Sequence, residues 1–376
     1  MNGDFWRGRR VLITGHTGFK GSWLSLWLQQ LNAQLVGYAL PPPDGASLFE
    51  LAAVAQRMDS VYADVRDYPS LQSVVRRFQP EVIFHLAAQP LVRRSYVEPM
   101  ETYAVNVLGI VHLLEAVRHE PSCRVVVNVT SDKCYENKEW ACGYRESDPM
   151  GGHDPYSSSK GCAELVTAAY RRSFFTAPGA PRAGIASARA GNVVGGGDFS
   201  NDRIVPDFMA AVRTGLPLSV RNPDAIRPWQ HVLEPLLGYL LLAHKLWEEP
   251  ARHAESWNFG PGHDGIRTVS WVVNTLNALR TRPVAWNVDA VAGPHEAQLL
   301  MLDSTKARVR LAWEPRWTLE QALLAVTQWY DAYDRGEPLR EVTLRQIDTY
   351  QSLPASTAPL SFVRRERHTQ TVQLTS

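Results

Sequence analysis

A short apolar run, Arg10-Val11-Leu12-Ile13, leads into Thr14-Gly15-His16-Thr17-Gly18-Phe19-Lys20-Gly21, and this glycine-spaced turn constrains the fold more than any other feature of the chain. The residues that follow carry Trp23, Leu24, Leu26, Trp27, Leu28 and Leu31 at helical rather than alternating spacing. The glycines therefore lie between a strand and a helix. There Gly15 permits a tight turn, Gly18 lets the backbone approach a pyrophosphate, and Gly21 allows close helix–strand contact. The helix N-terminus adds amide donors and the positive end of its dipole. A strand before and a helix after separate a dinucleotide cradle from a chance glycine triplet. Thr17 and Phe19 complete the loop as candidate cofactor contacts.

From residue 10 to 190, strand-like runs near 10 to 14, 34 to 38, 81 to 85, 124 to 129 and 184 to 188 alternate with helical runs near 21 to 31, 69 to 78, 99 to 118 and 156 to 174. This alternation predicts an α/β fold, a Rossmann-like doubly wound parallel sheet covered on both faces. Residues 1 to 190 read as the dinucleotide-binding domain, which also holds the catalytic candidates. Beyond them the pattern loosens into loops such as Gly195-Gly196-Gly197, with helices near 204 to 214 and 232 to 247. Residues 191 to 350 read as a smaller lobe that closes over a substrate, and residues 351 to 376 as a mobile polar tail.

The second strand should end near the adenosine ribose, where an acid favours NAD and an arginine NADP, yet Tyr38-Ala39-Leu40-Pro41 is neutral. Asp64 and Val65 follow a predicted strand and are candidates to hold the adenine. Leu86, Ala87 and Ala88 end the strand near 81 to 85 and leave room for a ligand, a pattern that core packing would also produce.

The formal charge of +1 provides no pull toward nucleic acid or an anionic membrane. Cys123, Cys134, Cys142 and Cys162 have no metal-ligand spacing, and no signal peptide precedes the first strand, so a cytoplasmic protein without a metal is expected. The apolar stretch 233 to 246 is interrupted by Glu234, Pro235, Gly238 and His244 and reads as a buried helix rather than a membrane span. Most of the twelve tryptophans read as core.

Tyr156 and Lys160 stand four apart at the start of a predicted helix and so share one face. A cation beside a phenol favours the phenolate, which makes Tyr156 a candidate general base for a substrate hydroxyl. The strand near 124 to 129 delivers Thr130-Ser131-Asp132-Lys133 at its C-terminal end, where ligands bind in such sheets. Ser131 is placed to hydrogen-bond the reacting hydroxyl with Tyr156. Asp132 and Lys133 have no role in simple hydride transfer, but an acid/base pair is what loss of water needs.

These motifs, in this order, resemble those of the extended short-chain dehydrogenases that act on nucleotide sugars, and within them the group of CDP-glucose 4,6-dehydratases. The likeness runs over roughly residues 5 to 350 by motif order. It is carried by the G-x-x-G-x-x-G turn with Ser22-Trp23, His85-Leu86-Ala87-Ala88-Gln89-Pro90-Leu91-Val92, Thr130-Ser131-Asp132-Lys133-Cys134-Tyr135-Glu136-Asn137, Tyr156-Ser157-Ser158-Ser159-Lys160, Arg189 to Asp198, and Arg227-Pro228-Trp229-Gln230-His231-Val232. Asp132-Lys133 is its discriminating element, since similar dehydratases for other nucleotides carry an acid pair there. Phe199 departs from a common tryptophan without touching the chemistry.

The resemblance implies NAD as cofactor, with Tyr156 and Lys160 also contacting it, and CDP-glucose as substrate. It implies Lys133 as the base at C5 and Asp132 as the acid toward the C6 hydroxyl. Those roles conflict if the two side chains pair directly, because pairing stabilises both charged forms. Asn192, Arg227 and Asn258 match phosphate-contacting positions, and Arg221 is an added candidate. Main-chain groups at 216 to 218 or 205 to 206 are candidate readers of the cytosine. A homodimer through the helices near 99 to 118 and 156 to 174 is expected. A 4-epimerase, a dehydratase for another nucleotide sugar and a non-catalytic NAD-binding regulator remain open alternatives.

Overall fold

The structure, a computed structural model, describes residues 3 to 176, 183 to 289 and 297 to 353; most of the polar tail lies outside them. Its strands are β1 (Arg10–Thr14), β2 (Gln34–Ala39), β3 (Asp59–Tyr62), β4 (Val82–His85), β5 (Val125–Val129), β6 (Gly184–Ala190), β7 (Asn192–Val194), β8 (Leu218–Val220), β9 (Ile226–His231), β10 (Ser256–Phe259), β11 (Ile266–Thr268) and β12 (Trp286–Val288). Seven of them form one parallel sheet in the order β10-β6-β5-β4-β1-β2-β3. The central strands β4 and β5 are buried along their whole length, which is why they read as unbroken apolar runs rather than as alternating ones.

The chain leaves β1 toward β2 on one side and later returns to β4 on the other. This reversal opens a crevice at the carboxyl ends of β1 and β4, where ligands bind in doubly wound sheets. The expected α/β sheet is thus present. At one edge lies β3, short and only partly buried, the strand expected ahead of Asp64. At the other, β10 arrives from well beyond residue 190 and pairs with β6. The helix Leu233–Glu248, which also lies past that point, packs across β5 and β6.

One face of the sheet packs Leu12, Ile83, Val126 and Ile185 against the helices Tyr68–Phe78 and Gly109–Arg118. The other face holds a larger core in which Trp23, Trp27, Trp257, Trp313 and Trp329 are fully buried, as expected for most tryptophans. The loop at Gly195 to Gly197 belongs to that core. A Cβ on Gly196 would fall 2.0 Å from the Trp329 ring, and its carbonyl accepts the Trp23 indole N–H at 3.0 Å.

Residues 99 to 118 form one continuous helical rod through a π-turn at Ala104–Leu108. Among the described residues Pro99–Arg118 is the helix long and apolar enough to cross a membrane by length and composition. Its Ile110, Leu113, Leu114 and Val117 are nevertheless buried in the core of the sheet.

Candidate active site

The cradle is assembled by close backbone contacts that glycine alone tolerates. Gly15 has φ +74°, and a Cβ there would lie 2.7 Å from the Ala87 nitrogen; one on Gly21 would lie 2.1 Å from the Gly15 carbonyl oxygen. By contrast, a Cβ on the exposed Gly18 would meet only the Gly15 oxygen at 3.4 Å, leaving its outer side open to the cleft. Gly18 also caps the helix Phe19–Gln30 without a side-chain bond, so first-turn amides remain to receive phosphate oxygens. The Thr14 hydroxyl accepts the amides of Leu86 and Ala87 at 3.2 Å each and meets His85 Nδ1 at 2.7 Å. Burial holds the His85 ring down to about 3, hence neutral, and its hydrogen bond with Thr14 clamps the ends of β1 and β4 together. These features fit a dinucleotide pyrophosphate.

A single cavity of about 570 Å³ runs from this cradle into the second lobe, and Gly15, Thr17, Gly18, Phe19 and Gly21 line its floor. Asp64, Val65, Leu86, Ala87 and Ala88 border it as well. Thr17 donates to the Leu40 carbonyl at 2.9 Å, and Asp64 is bound to the Arg66 guanidinium at 2.6 Å. His16, which the sequence reading passed over, packs against Gly37 of β2. A Cβ on Gly37 would lie 2.2 Å from its ring, whose buried nitrogens find no partner among the described residues, and burial lowers its pKa to about 4.

The catalytic candidates converge at the centre of the cavity. Asp154 caps the helix Pro155–Tyr170 by accepting the Ser157 amide at 2.9 Å, and Pro155 suits the first turn. This fixes Tyr156 and Lys160 one turn apart, with the Lys160 Nζ 6.0 Å from the Tyr156 ring centroid. Ser131 lies close to the Tyr156 phenol, donates to Asp132 Oδ1 at 3.0 Å and accepts the Lys133 amide at 3.2 Å.

The electrostatics correct one expectation. Burial pushes the Tyr156 phenol up to about 12 and brings Lys160 down to about 8. Desolvation, not a neighbouring cation, therefore dominates the phenol, and the nearby Ser131 hydroxyl only partly offsets it. Burial also raises the Asp132 carboxyl above its ordinary range, while its Oδ2 is buried without a hydrogen-bond partner. Among the described residues no ion pair joins Asp132 to Lys133, although the lysine charge still partly offsets the effect of burial on the carboxyl. Lys133 lines the cavity.

Beneath this cluster lies a buried ion pair. Arg189 holds both oxygens of Glu164, at 2.9 and 2.8 Å, and Thr130 and Ser187 donate to the same carboxylate at 2.5 Å each. Burial alone would raise the Glu164 pKa, but Arg189 and the hydroxyls outweigh it and hold it below the usual range. Arg189 continues through the Tyr135 hydroxyl at 2.6 Å to Asn258 at 2.7 Å. Glu164→Gln leaves the guanidinium buried and uncompensated, and is expected to cost about 3–5 kcal/mol of stability in denaturant unfolding. A loss under about 1 kcal/mol contradicts this account.

Asn192, Arg221 and Arg227 line the second-lobe part of the cavity, as a phosphate-binding role requires. Asn258 does not. It is fully buried behind the site, donating to the Tyr144 and Asp303 carbonyls at 2.8 and 3.1 Å, and its role is to hold loops together. Among the cavity residues that escaped the sequence reading are Lys20, Asp198 and Arg203. Lys20 Nζ lies 3.4 Å from the Tyr239 hydroxyl, and burial brings it down to about 8. A cation in the first turn of a helix opposes the dipole, and that local conflict was a legible signal. Arg203 pairs with Asp198 at 2.7 Å near Tyr156.

A family model described as GDP-mannose 4,6 dehydratase matches residues 12–325. The chain is 49% identical over 351 residues to a CDP-glucose 4,6-dehydratase of Salmonella typhimurium, covering 93% of this chain and 98% of that one. The solved dTDP-glucose 4,6-dehydratase from Bacillus anthracis, in complex with NAD, superposes with a TM-score of 0.73 at 22% identity, over 88% of this chain and 99% of that one. A Thermus thermophilus UDP-glucose 4-epimerase, also in complex with NAD, gives 0.74 at 21% identity, over 86% and 99%. The two structures establish the shared fold.

Proposed function

The chain belongs to the GDP-mannose 4,6 dehydratase family, and from that premise we propose that it is an NAD-dependent enzyme converting CDP-glucose to CDP-4-keto-6-deoxyglucose. The observation that carries this reading is the Ser131-Asp132-Lys133 turn beside Tyr156, in which burial raises the Asp132 carboxyl above its ordinary range and Lys133 lines the same cavity. An epimerase needs the tyrosine and the cradle but no such acid/base pair.

In this mechanism Tyr156, with Ser131 beside its phenol, takes the proton of the sugar C4 hydroxyl, and Lys160 one turn away contributes to binding the cofactor. NAD, when bound, accepts the hydride from C4 and returns it at C6, so it is unchanged overall. The new 4-ketone acidifies the C5 hydrogen, and Lys133 removes it. Asp132 gives its proton to the C6 hydroxyl, which leaves as water. Burial supports that acid role, because it raises the carboxyl's pKa and so favours the protonated form. Asn192, Arg221 and Arg227 hold the diphosphate, arginine by its planar fork.

Val97, Met100, Tyr103, Leu108 and Leu165 are exposed on the segment 92 to 108 and on the helix Pro155–Tyr170. A second copy of the chain covers this apolar face in a homodimer. A cytoplasmic location accords with four unpaired cysteines. The test of the reaction is isotopic. CDP-glucose deuterated at C4 should give product with the label at C6 of the same molecule, whereas label retained at C4 of an epimerised sugar contradicts the reading.

A further inference from the structure

Beyond the diphosphate candidates the cavity continues into a slot with no assigned role. The helix Ile204–Thr214 packs there against β8 and against the helix Val269–Ala278. Val205, Val220, Ala225 and Val269 line the same cavity, giving apolar walls suited to a flat heteroaromatic ring. Along a nucleotide sugar the base follows the diphosphate and ribose, so a sugar at Tyr156 and a diphosphate at Arg227 place the base in this slot. The segment 216 to 218, a candidate reader from sequence, does not border the cavity; Leu216 is 65% exposed and Leu218 faces the core. Its successors Ser219 to Asn222 border the cavity instead.

Two carboxylates stand at this end of the cavity, Asp202 and Asp207. Asp202 is engaged, taking Arg221 at 2.7 Å and Arg93 at 3.3 Å through the same oxygen. Asp207 lies in the first turn of the helix Ile204–Thr214, half-buried, with the Asp202 backbone close by. It forms no ion pair among the described residues. A carboxylate offers about four acceptor positions, so most of its capacity is left for a ligand. Cytosine carries an amino donor at its 4-position, where uracil and thymine carry a carbonyl acceptor. A carboxylate facing that position attracts the first and repels the other two.

We propose that Asp207 accepts a hydrogen bond from the 4-amino group of cytosine and thereby selects CDP-sugars over UDP- and dTDP-sugars. The proposal rests on the functional reading above. It is tested by measuring kcat/KM of the full chain for CDP-glucose and UDP-glucose, and calorimetric affinity for CDP and UDP, in the wild type, Asp207→Asn and Asp207→Ala. Losing one base contact should lower kcat/KM for CDP-glucose roughly 10–100-fold, mainly through KM. The CDP:UDP preference should fall in both variants, and further in Asp207→Asn, whose amide can donate to a 4-carbonyl. The nucleotide affinities should move in parallel, which a purely structural role would not produce. A CDP-selective wild type whose preference ratio survives both substitutions overturns the assignment of Asp207 alone. A wild type that turns over UDP-glucose and not CDP-glucose overturns the functional reading beneath it.

Discussion

Replacing Tyr156 by phenylalanine is expected to lower kcat by about 10²–10⁴-fold, the contribution of a positioned general base, while leaving cofactor affinity close to that of the wild type. The ring stays packed at the base of the cavity and only the titrating oxygen is lost. The pH profile follows from the environment of the pair. With the phenol pushed up to about 12, the reactive phenolate fraction rises with pH through the neutral range. Lys160, brought down to about 8, loses its charge above that value, so the rise in kcat/KM should flatten there. The check is a pH series of kcat/KM from about pH 6 to 9 for wild type and Tyr156→Phe. A variant that keeps the wild-type rate and the same profile removes Tyr156 from the chemistry.

The second large effect concerns the acid/base pair. Lys133→Met should retain oxidation at C4 yet lose the exchange of the C5 hydrogen with solvent deuterium, and overall turnover should fall by about 10²–10⁴-fold. Asp132→Asn should behave differently. The amide cannot donate a proton to the departing hydroxyl, so C5 exchange persists while loss of water slows. The separation is expected because the two side chains make no ion pair, and each faces its own task. If Lys133→Met exchanges C5 and eliminates water at the wild-type rate, the base is another residue. If both variants lose exchange equally, the pair acts as one unit and the division of roles is wrong.

Much of this site could be read from the sequence because its parts depend on local chemistry. The turn at Gly15, Gly18 and Gly21 follows from steric limits that a few residues impose on one another, and the four-residue spacing of Tyr156 and Lys160 is fixed by helix geometry. The carboxyl ends of β4 and β5 are set by apolar runs that a doubly buried sheet requires. What escaped depends on long-range contacts. β10 joins β6 across about 70 residues of sequence. Asn258 sits in a motif that matches a phosphate contact, yet its position on β10 buries it against Tyr135, and no spacing rule reports that. The direction of the Tyr156 shift was also hidden, since it is decided by how completely the fold excludes water from the phenol.

The most direct test is to incubate the purified protein with CDP-glucose, dTDP-glucose, UDP-glucose and GDP-mannose in parallel, with and without added NAD, and follow the alkaline absorbance of a 4-keto-6-deoxy product. The account predicts selective turnover of CDP-glucose in the presence of NAD. The absence of keto product from CDP-glucose while NAD is bound would contradict it.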